Sequence, residues 1–131
     1  MNAFMIDLDN RPGALADITE LLAAGGVNIT AVTAAACGDS GRLAFTADDE
    51  SAVRTVLGNA GRAYTEIGIT EVHMRHQPGA LAAIARKLAT SGINIEAVMP
   101  MGMDGDDVIV ALVTDDPVTA EELLVEAGTA S

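Results

Sequence analysis

The sequence repeats itself once, and this repeat limits the folds that the chain can adopt. Residues 10–15 read Asn-Arg-Pro-Gly-Ala-Leu, and residues 76–81 read His-Gln-Pro-Gly-Ala-Leu, at an offset of 78 − 12 = 66. The same offset relates, without a gap, Ile18 to Ile84, Leu22 to Leu88, Gly26 to Gly92, Asn28 to Asn94, Ile29 to Ile95 and Val32 to Val98. A match of this length in register indicates an internal duplication. We therefore expect two small units, residues 1–67 and 68–131.

The first copy is predicted to begin with a strand and a helix. Its first nine residues alternate, as in a half-buried strand, with Met5 on the outer face and an inner face formed by Phe4, Ile6 and Leu8. After Pro12 the period becomes helical, and the apolar stripe consists of Leu15, Ile18 and Leu22. Two glycines at positions 25 and 26 are expected to end this helix.

The rest of the first copy is predicted to contain a hairpin, a second helix and a last strand. Residues 27–36 and 43–46 are rich in β-forming side chains and flank a turn at residues 38–41. Either Asp48 or Asp49 can cap the second helix. Residues 62–66 are short and capable of forming a strand, which gives the order βαββαβ.

The second copy departs from the first in length. Asp48-Asp49 matches Asp115-Asp116 at an offset of 67, so the second hairpin turn, near residues 103–107, is expected to be one residue longer. Gly68 is expected to form a bulge or kink between the copies. The sequence leaves no run for a last strand after the fourth helix. We predict an α+β fold of two tandem ferredoxin-like units, antiparallel sheets with helices on one face, the second unit lacking its last strand.

Composition excludes several classes of function. The formal net charge is −12, with 19 acidic and 7 basic residues, and aromatic residues make up only 2%. Nucleic-acid binding needs basic patches and favours stacking aromatics, and an anionic membrane surface also attracts basic segments. Cys37 is the only cysteine, so one chain cannot form a disulfide or a cysteine-based metal site. With neither a signal peptide nor a long apolar run, the protein is expected to be cytoplasmic.

The two Pro-Gly corners are the candidate binding features. Each corner lies between a predicted strand and a predicted helix, so the first N–H groups of the helix have no partner within it. Such a helix start favours an anion or a carboxylate. A free amino acid also needs an acceptor for its ammonium group, which the amide oxygens of Asn10 and Asn28 can provide.

These residues resemble the ACT domain family. The resemblance rests on Asp9 to Leu15 followed by Gly26-Val27-Asn28-Ile29, and on Gln77 to Leu81 followed by Gly92-Ile93-Asn94-Ile95. It covers nearly the whole chain as two tandem copies. ACT domains are small-molecule sensors, commonly for amino acids, that are attached to or act on metabolic enzymes. The first copy is similar to the serine-binding form found in phosphoglycerate dehydrogenases.

The resemblance implies a small amino-acid ligand at an interface between ACT units, where the strand-to-helix loop meets the start of the second strand of a facing unit. Carried over to this sequence, the implied ligand-binding residues of the first copy are Asn10, Pro12, Gly13, Ala14, Leu15, Asn28 and Ile29. Those of the second copy are Gln77, Gly79, Ala80, Leu81, Asn94 and Ile95. His76 and Gln77 replace Asn10 and Arg11, so the two sites need not be equivalent. A homodimer or higher even oligomer, and a metabolic enzyme as partner, are implied as well.

Alternative interpretations remain open at several of these residues. Asn28 and Asn94 can be turn residues, and Asn10 can be only a helix N-cap. The acidic turn at residues 103–107 and the pair His73 and His76 lack metal-ligand spacing, so no metal or other cofactor is expected. No nucleophile–base pair or phosphate loop indicates an enzyme. The alternative function is a ligand-free module for interaction or oligomerisation.

Overall fold

The computed structural model describes residues 1–128 of the chain. The chain divides into two compact units, Met1–Glu66 and Ile67–Ser131. Each unit contains an antiparallel sheet and two helices. The predicted α+β class and its βαββαβ order are confirmed.

In the first unit, two helices pack against one face of a three-stranded sheet. Its elements are strands β1 (Asn2–Asp9), β2 (Ile29–Cys37) and β3 (Ser40–Ala47), and helices α1 (Ala14–Ala24) and α2 (Glu50–Asn59). Strand β3 pairs with β1 on one side and with β2 on the other, both antiparallel. The core between sheet and helices contains Phe4, Ile6, Ile18, Leu22, Leu43, Phe45, Val53 and Leu57.

The second unit repeats this arrangement. Its elements are strands β4 (Thr65–Arg75), β5 (Ile95–Asp104) and β6 (Asp107–Thr114), and helices α3 (Ala80–Thr90) and α4 (Pro117–Glu126). Strand β6 pairs with β4 and β5. Helix α4 is the last element within residues 1–128, and the prediction of a missing last strand also involves residues 129–131, which lie outside the described residues.

Strand β4 corrects the prediction of a break at Gly68. It runs without interruption from Thr65 to Arg75, so the last strand of the first unit and the first strand of the second are one element. Gly68 does not have a positive φ and forms no kink there. The flanking residues Ile67 and Ile69 favour extended backbone, which is why a single glycine does not end the strand.

The extra residue of the second hairpin lies in a strand, and the prediction of a longer turn was wrong. Both hairpins have two-residue turns, because Cys37 pairs with Ser40 and Asp104 pairs with Asp107. The additional residue is accommodated in β5, where the register shifts between Pro100 and Gly102. Gly102 has φ 149°, and a β-bulge of this kind absorbs one residue without changing the turn.

Burial differs from the sequence pattern at two positions. Met5 was predicted to lie on an outer face, but it is 6% exposed. Leu15 was predicted to belong to the buried stripe of α1, but it is 47% exposed, and Ala14 occupies the stripe together with Ile18 and Leu22. Ala14, Ile18 and Leu22 are spaced four residues apart and share one face of the helix, whereas Leu15 lies about 100° around the axis from Ala14.

Aspartates cap both second helices. Asp49 accepts a hydrogen bond from the Ala52 N–H at 3.0 Å, and Asp116 accepts one from the Thr119 N–H at 3.1 Å. The prediction of a cap at position 48 or 49 is therefore confirmed for Asp49. The hydrogen bond from Thr119 also lowers the pKa of the Asp116 carboxyl.

Polar side chains join the start of β1, helix α2 and the start of β4 within the first unit. Arg54 donates to both carboxylate oxygens of Glu66, at 2.7 and 2.9 Å, and Asn2 donates to Glu66 at 2.6 Å. The Arg54 hydrogen bond is the main reason that the pKa of Glu66 lies below its ordinary value. This bidentate pair holds the last residue of the first unit against α2.

Two buried threonines of the second unit lead to a prediction about stability. Within residues 1–128 the hydroxyl groups of Thr70 and Thr114 have no hydrogen-bond partner, although the two residues are 2% and 0% exposed. An unsatisfied buried hydroxyl costs roughly 1–3 kcal/mol. Thr70→Val keeps the side-chain shape and is expected to raise the free energy of unfolding by about 1 kcal/mol, measured by urea denaturation with circular dichroism.

Thr46→Val is the matched control for this prediction. Thr46 is equally buried, but its hydroxyl lies 2.7 Å from that of Thr30. Its substitution is expected to lower the free energy of unfolding by about 1 kcal/mol, because a hydrogen bond is lost. A destabilising effect of Thr70→Val as large as that of Thr46→Val would contradict the assignment of Thr70 as unsatisfied.

Candidate ligand-binding site

The loop between β1 and α1 is fixed to the tip of the β2–β3 hairpin. Asn10 donates through its side-chain Nδ2 to the carbonyl oxygen of Gly38 at 2.8 Å, and its backbone N–H donates to Asp39 at 2.9 Å. Asn10 is therefore a turn residue that joins two loops, and it is not the N-cap of α1. These contacts leave the side-chain amide oxygen of Asn10 without a partner among the described residues.

Gly13 is the N-cap of α1 and takes a left-handed conformation. Its φ is 89°, a value that favours glycine over any residue with a Cβ. No side chain caps this helix start. The Ala14 N–H donates to the Arg11 carbonyl oxygen at 3.3 Å, and the Asp17 N–H donates to the Gly13 carbonyl oxygen at 2.8 Å. In the described part of the chain the N–H groups of Gly13, Leu15 and Ala16 have no acceptor.

The guanidinium group of Arg11 lies over this helix start. It donates to the Pro12 carbonyl at 3.3 Å and forms an ion pair with Asp17 at 3.2 Å, with the Arg11 side chain 53% exposed. A Cβ added to Gly13 would lie 3.7 Å from Arg11 Nη1. A cation and free N–H groups therefore share one corner, and both favour an anionic group.

A cavity of about 200 Å³ opens beside this corner. The lining comes from the loop, from the first turn of α1 and from the hairpin, and consists of Leu8, Asp9, Asn10, Arg11, Ala14, Leu15, Ala34, Ala35, Ala36, Gly41 and Arg42. A second cavity of about 130 Å³ shares Leu8, Asp9, Arg11 and Ala14 with the first. We call the loop from Asp9 to Leu15 with the start of α1 the Arg11 corner. The shared residues place this corner at the boundary of both cavities.

Charged groups of both signs surround the first cavity. Arg42 is held by Asp7 at 3.0 Å, so its charge is partly compensated. Asp9 lines both cavities, and among residues 1–128 its carboxylate forms no ion pair or hydrogen bond. The corner thus offers a cation, free N–H groups and one unpaired carboxylate, which together match the two charges of a zwitterion.

Asn28 and Ile29 lie at the opposite end of the sheet from this cavity. Ile29 pairs with Ala47 at one end of β3, whereas Ala36 pairs with Gly41 at the other. The Asn28 N–H donates to the Asp48 carboxylate at 3.0 Å, and the Asn28 carbonyl accepts from the Asp48 N–H at 3.1 Å. Within one unit, Asn28 therefore connects β2 to the start of α2 and does not line the cavity.

The second unit repeats the backbone of the loop but not its first two side chains. Gly79 has φ 88°, and the Ala80 N–H bonds to Gln77 at 3.3 Å, as in the first unit. His76 donates through its backbone to Asp106 at 3.4 Å, with no counterpart of the Asn10 side-chain bond among the described residues. The free N–H of Leu81 and the exposed Leu81 side chain repeat those of Leu15.

Asn94 and Ile95 also repeat the first unit. The Asn94 N–H donates to the Asp115 carboxylate at 3.0 Å, and Ile95 pairs with Thr114 at the far end of β6. The interpretation of both asparagines as turn residues therefore has a structural basis in each unit. Their side chains remain exposed and available to a neighbouring molecule.

The sequence did not point to eight of the eleven cavity residues. The residues that line the cavity without having been predicted to bind the ligand are Leu8, Asp9, Arg11, Ala34, Ala35, Ala36, Gly41 and Arg42. The place of the strand residues among them follows from strand register, because Leu8 pairs with Gly41 and Gly41 pairs with Ala36. The two-residue turn at positions 38–39 was the signal that could have fixed this register.

The histidines of the second unit do not form a metal site. His73 lies 3.3 Å from a carboxylate oxygen of Glu71 and 3.8 Å from one of Asp104. In residues 1–128 no group of three or more His, Cys, Asp or Glu side chains is arranged to hold a metal ion. Every helix in this part of the chain is too short or too polar to cross a lipid bilayer.

Comparison with known families finds a match within the first unit. Residues 4–61 match the family model described as the AHAS small subunit-like ACT domain. The second unit repeats the elements, the glycine corner and the capping aspartates of the first. The first unit is therefore similar to an ACT domain, and the second unit has the same order of elements. A search of curated proteins found no match.

Solved structures show the same fold over nearly the whole chain. Protein BT0572 of Bacteroides thetaiotaomicron is 24% identical, with a TM-score of 0.79 over 98% of this chain and 89% of that one. The regulatory subunit of aspartate kinase from Thermus thermophilus is 19% identical, with a TM-score of 0.61 over 96% and 91% of the two chains. The corresponding subunit from Thermus flavus is also 19% identical, with a TM-score of 0.63 over 97% and 91%.

Proposed function

We propose that the chain is a cytoplasmic regulatory protein that binds a small amino acid at the Arg11 corner. The observation that carries the proposal is the 200 Å³ cavity, where free helix N–H groups, a guanidinium and an unpaired carboxylate meet. None of these groups supplies a nucleophile with a base. The arrangement therefore favours binding over catalysis.

The charges of the cavity suggest how an amino acid would lie in it. The ligand carboxylate would accept from the Leu15 and Ala16 N–H groups and from Arg11. Its ammonium group would face the Asp9 carboxylate. A short side chain would then contact the apolar walls formed by Leu8, Ala34 and Ala36. A zwitterion fits such a site because each of its charges meets an opposite one.

A second copy of the chain would complete the pocket. Within the sheet of the first unit, β2 pairs with β3 on one side only, so its other edge is available for pairing. If two β2 strands meet antiparallel, the Asn28 end of one copy lies beside the Ala36 end of the other. Asn28 and Ile29 would then reach the ligand from the facing copy, as the family resemblance implies, and a homodimer would be the binding form.

Regulation would follow from differential binding. A ligand held between two copies favours the associated form by its higher affinity for that form. The Thermus proteins of similar fold are named regulatory subunits of aspartate kinase. By analogy, association of this chain would control a metabolic enzyme rather than perform a reaction.

Thermal melts with each of the twenty amino acids test this function. A ligand that binds only the folded protein stabilises it by about 2.7 kcal/mol at one hundred times its dissociation constant. We expect one or a few amino acids at 5 mM, on the order of cellular concentrations, to raise the melting temperature by several degrees. Betaine and ammonium chloride serve as controls for nonspecific effects. A flat response to all twenty would overturn the proposal.

A further inference from the structure

The end of the sheet beneath the Arg11 corner is lined by small side chains. Leu8, Gly41 and Ala36 lie side by side on β1, β3 and β2, on the face that packs against the helices. We call these three residues the end row of the first unit. All three line the 200 Å³ cavity, and Gly41 contributes no side chain to it.

The end row of the second unit is built from larger side chains. Met74, Val108 and Met103 occupy the equivalent positions on β4, β6 and β5. Met74 and Val108 are partly buried and pack against the core of that unit. The volume that is open above Gly41 is therefore occupied above Val108 by the protein itself.

The bulge in β5 explains why the second unit accepts a side chain at this position. In the regular ladder of the first unit, a Cβ on Gly41 would lie 3.0 Å from the Ala35 carbonyl oxygen and 3.4 Å from the Ala36 Cβ. In the second unit the register shift between Pro100 and Gly102 alters the strand beside Val108. The regular ladder of the first unit favours glycine at position 41, which leaves the cavity open. The bulged ladder of the second unit has Val108 at the equivalent position, which closes it.

The charged groups of the second corner also differ from those of the first, and this difference also disfavours an amino-acid ligand. At the offset of 66, Arg75 occupies the position of Asp9, and Gln77 occupies the position of Arg11. Arg75 lies 3.9 Å from Asp107. The second corner thus has no carboxylate at the position of Asp9 and no guanidinium at the position of Arg11.

From these two independent differences we infer that each chain holds one amino acid, in the first unit, and that the second unit is closed by its own side chains. This inference rests on the proposed function. The inference assigns the two units separate roles. The first unit responds to the ligand, and the structure of the second unit does not depend on it.

Binding stoichiometry tests the inference. The amino acid that gives the largest shift in the thermal melts is titrated into the full chain by isothermal calorimetry. We expect one molecule bound per chain, and two per chain would overturn the inference while leaving the proposed function intact. If none of the twenty amino acids shifts the melt, the proposed function itself fails, so the two failures are distinguishable.

Exchanging side chains between the end rows locates the bound molecule. Ala36→Met introduces the residue found at the equivalent position 103 and is expected to weaken binding at least tenfold by filling the cavity. Met103→Ala, at a side chain that is 58% exposed, is the matched control and is expected to leave the affinity unchanged. Melts without ligand check that both variants fold. Unchanged binding in Ala36→Met, or lost binding in Met103→Ala, would overturn the inference.

Discussion

Arg11→Gln is expected to weaken amino-acid binding by about tenfold. The substitution copies the side chain at position 77 of the second unit and removes the guanidinium from the cavity. A hydrogen bond between charged groups contributes roughly 1.5–3 kcal/mol, and about 1.4 kcal/mol corresponds to a factor of ten. We take the lower end because the Arg11 side chain is 53% exposed. Calorimetric titration of both proteins at one ionic strength measures the change.

Gln77→Ala is the control for this experiment. Gln77 lies at the same place in the loop of the second unit, so its removal has a comparable effect on the loop backbone. The affinity of the Gln77→Ala variant for the ligand is expected to match that of the unsubstituted protein. An Arg11→Gln variant that binds normally would show that the ligand carboxylate does not contact the Arg11 corner.

Phe4→Ala is expected to destabilise the first unit by about 3–5 kcal/mol, the usual range for a buried phenylalanine. Phe4 is fully buried, with ring centroids 5.6 Å from Phe45 and 6.0 Å from Tyr64. No other residue is positioned to fill the space that its ring leaves in this core. Since the chain has one tyrosine and no tryptophan, Tyr64 fluorescence during urea unfolding reports on the first unit alone.

The equivalent position in the second unit provides the comparison. Thr70 occupies the place of Phe4 at the offset of 66 and carries a much smaller apolar surface. Thr70→Ala is expected to leave the midpoint of the Tyr64 transition almost unchanged. Equal shifts for Phe4→Ala and Thr70→Ala would contradict the separate core that the structure shows for the first unit.

The fold could be predicted from the sequence because the duplication constrained it twice. Each helix stripe and capping aspartate had a partner 66 or 67 residues away, so a chance pattern in one copy could be checked against the other. Strand β4 was one exception, because the β-forming residues on both sides of Gly68 outweighed the tendency of glycine to interrupt strands.

The site was predicted only in part because a cavity depends on strand register. The loop residues from Asn10 to Leu15 are contiguous and carry a recognisable motif. Gly41 and Ala36 reach the same place from the hairpin, through pairing that spacing alone did not settle. Local sequence also could not show that the Ala14 N–H is used within the loop, since that bond depends on the left-handed turn at Gly13.

The bulge between Pro100 and Gly102 has a consequence for how duplicated domains diverge. One inserted residue would be expected to reverse the facing of every side chain after it, yet pairing resumes at Gly102 and the turn keeps its length. The insertion therefore acts locally, on the few residues that form the floor of one corner. A change in chain length of a single amino acid thus alters one corner while the order of elements in both copies is preserved.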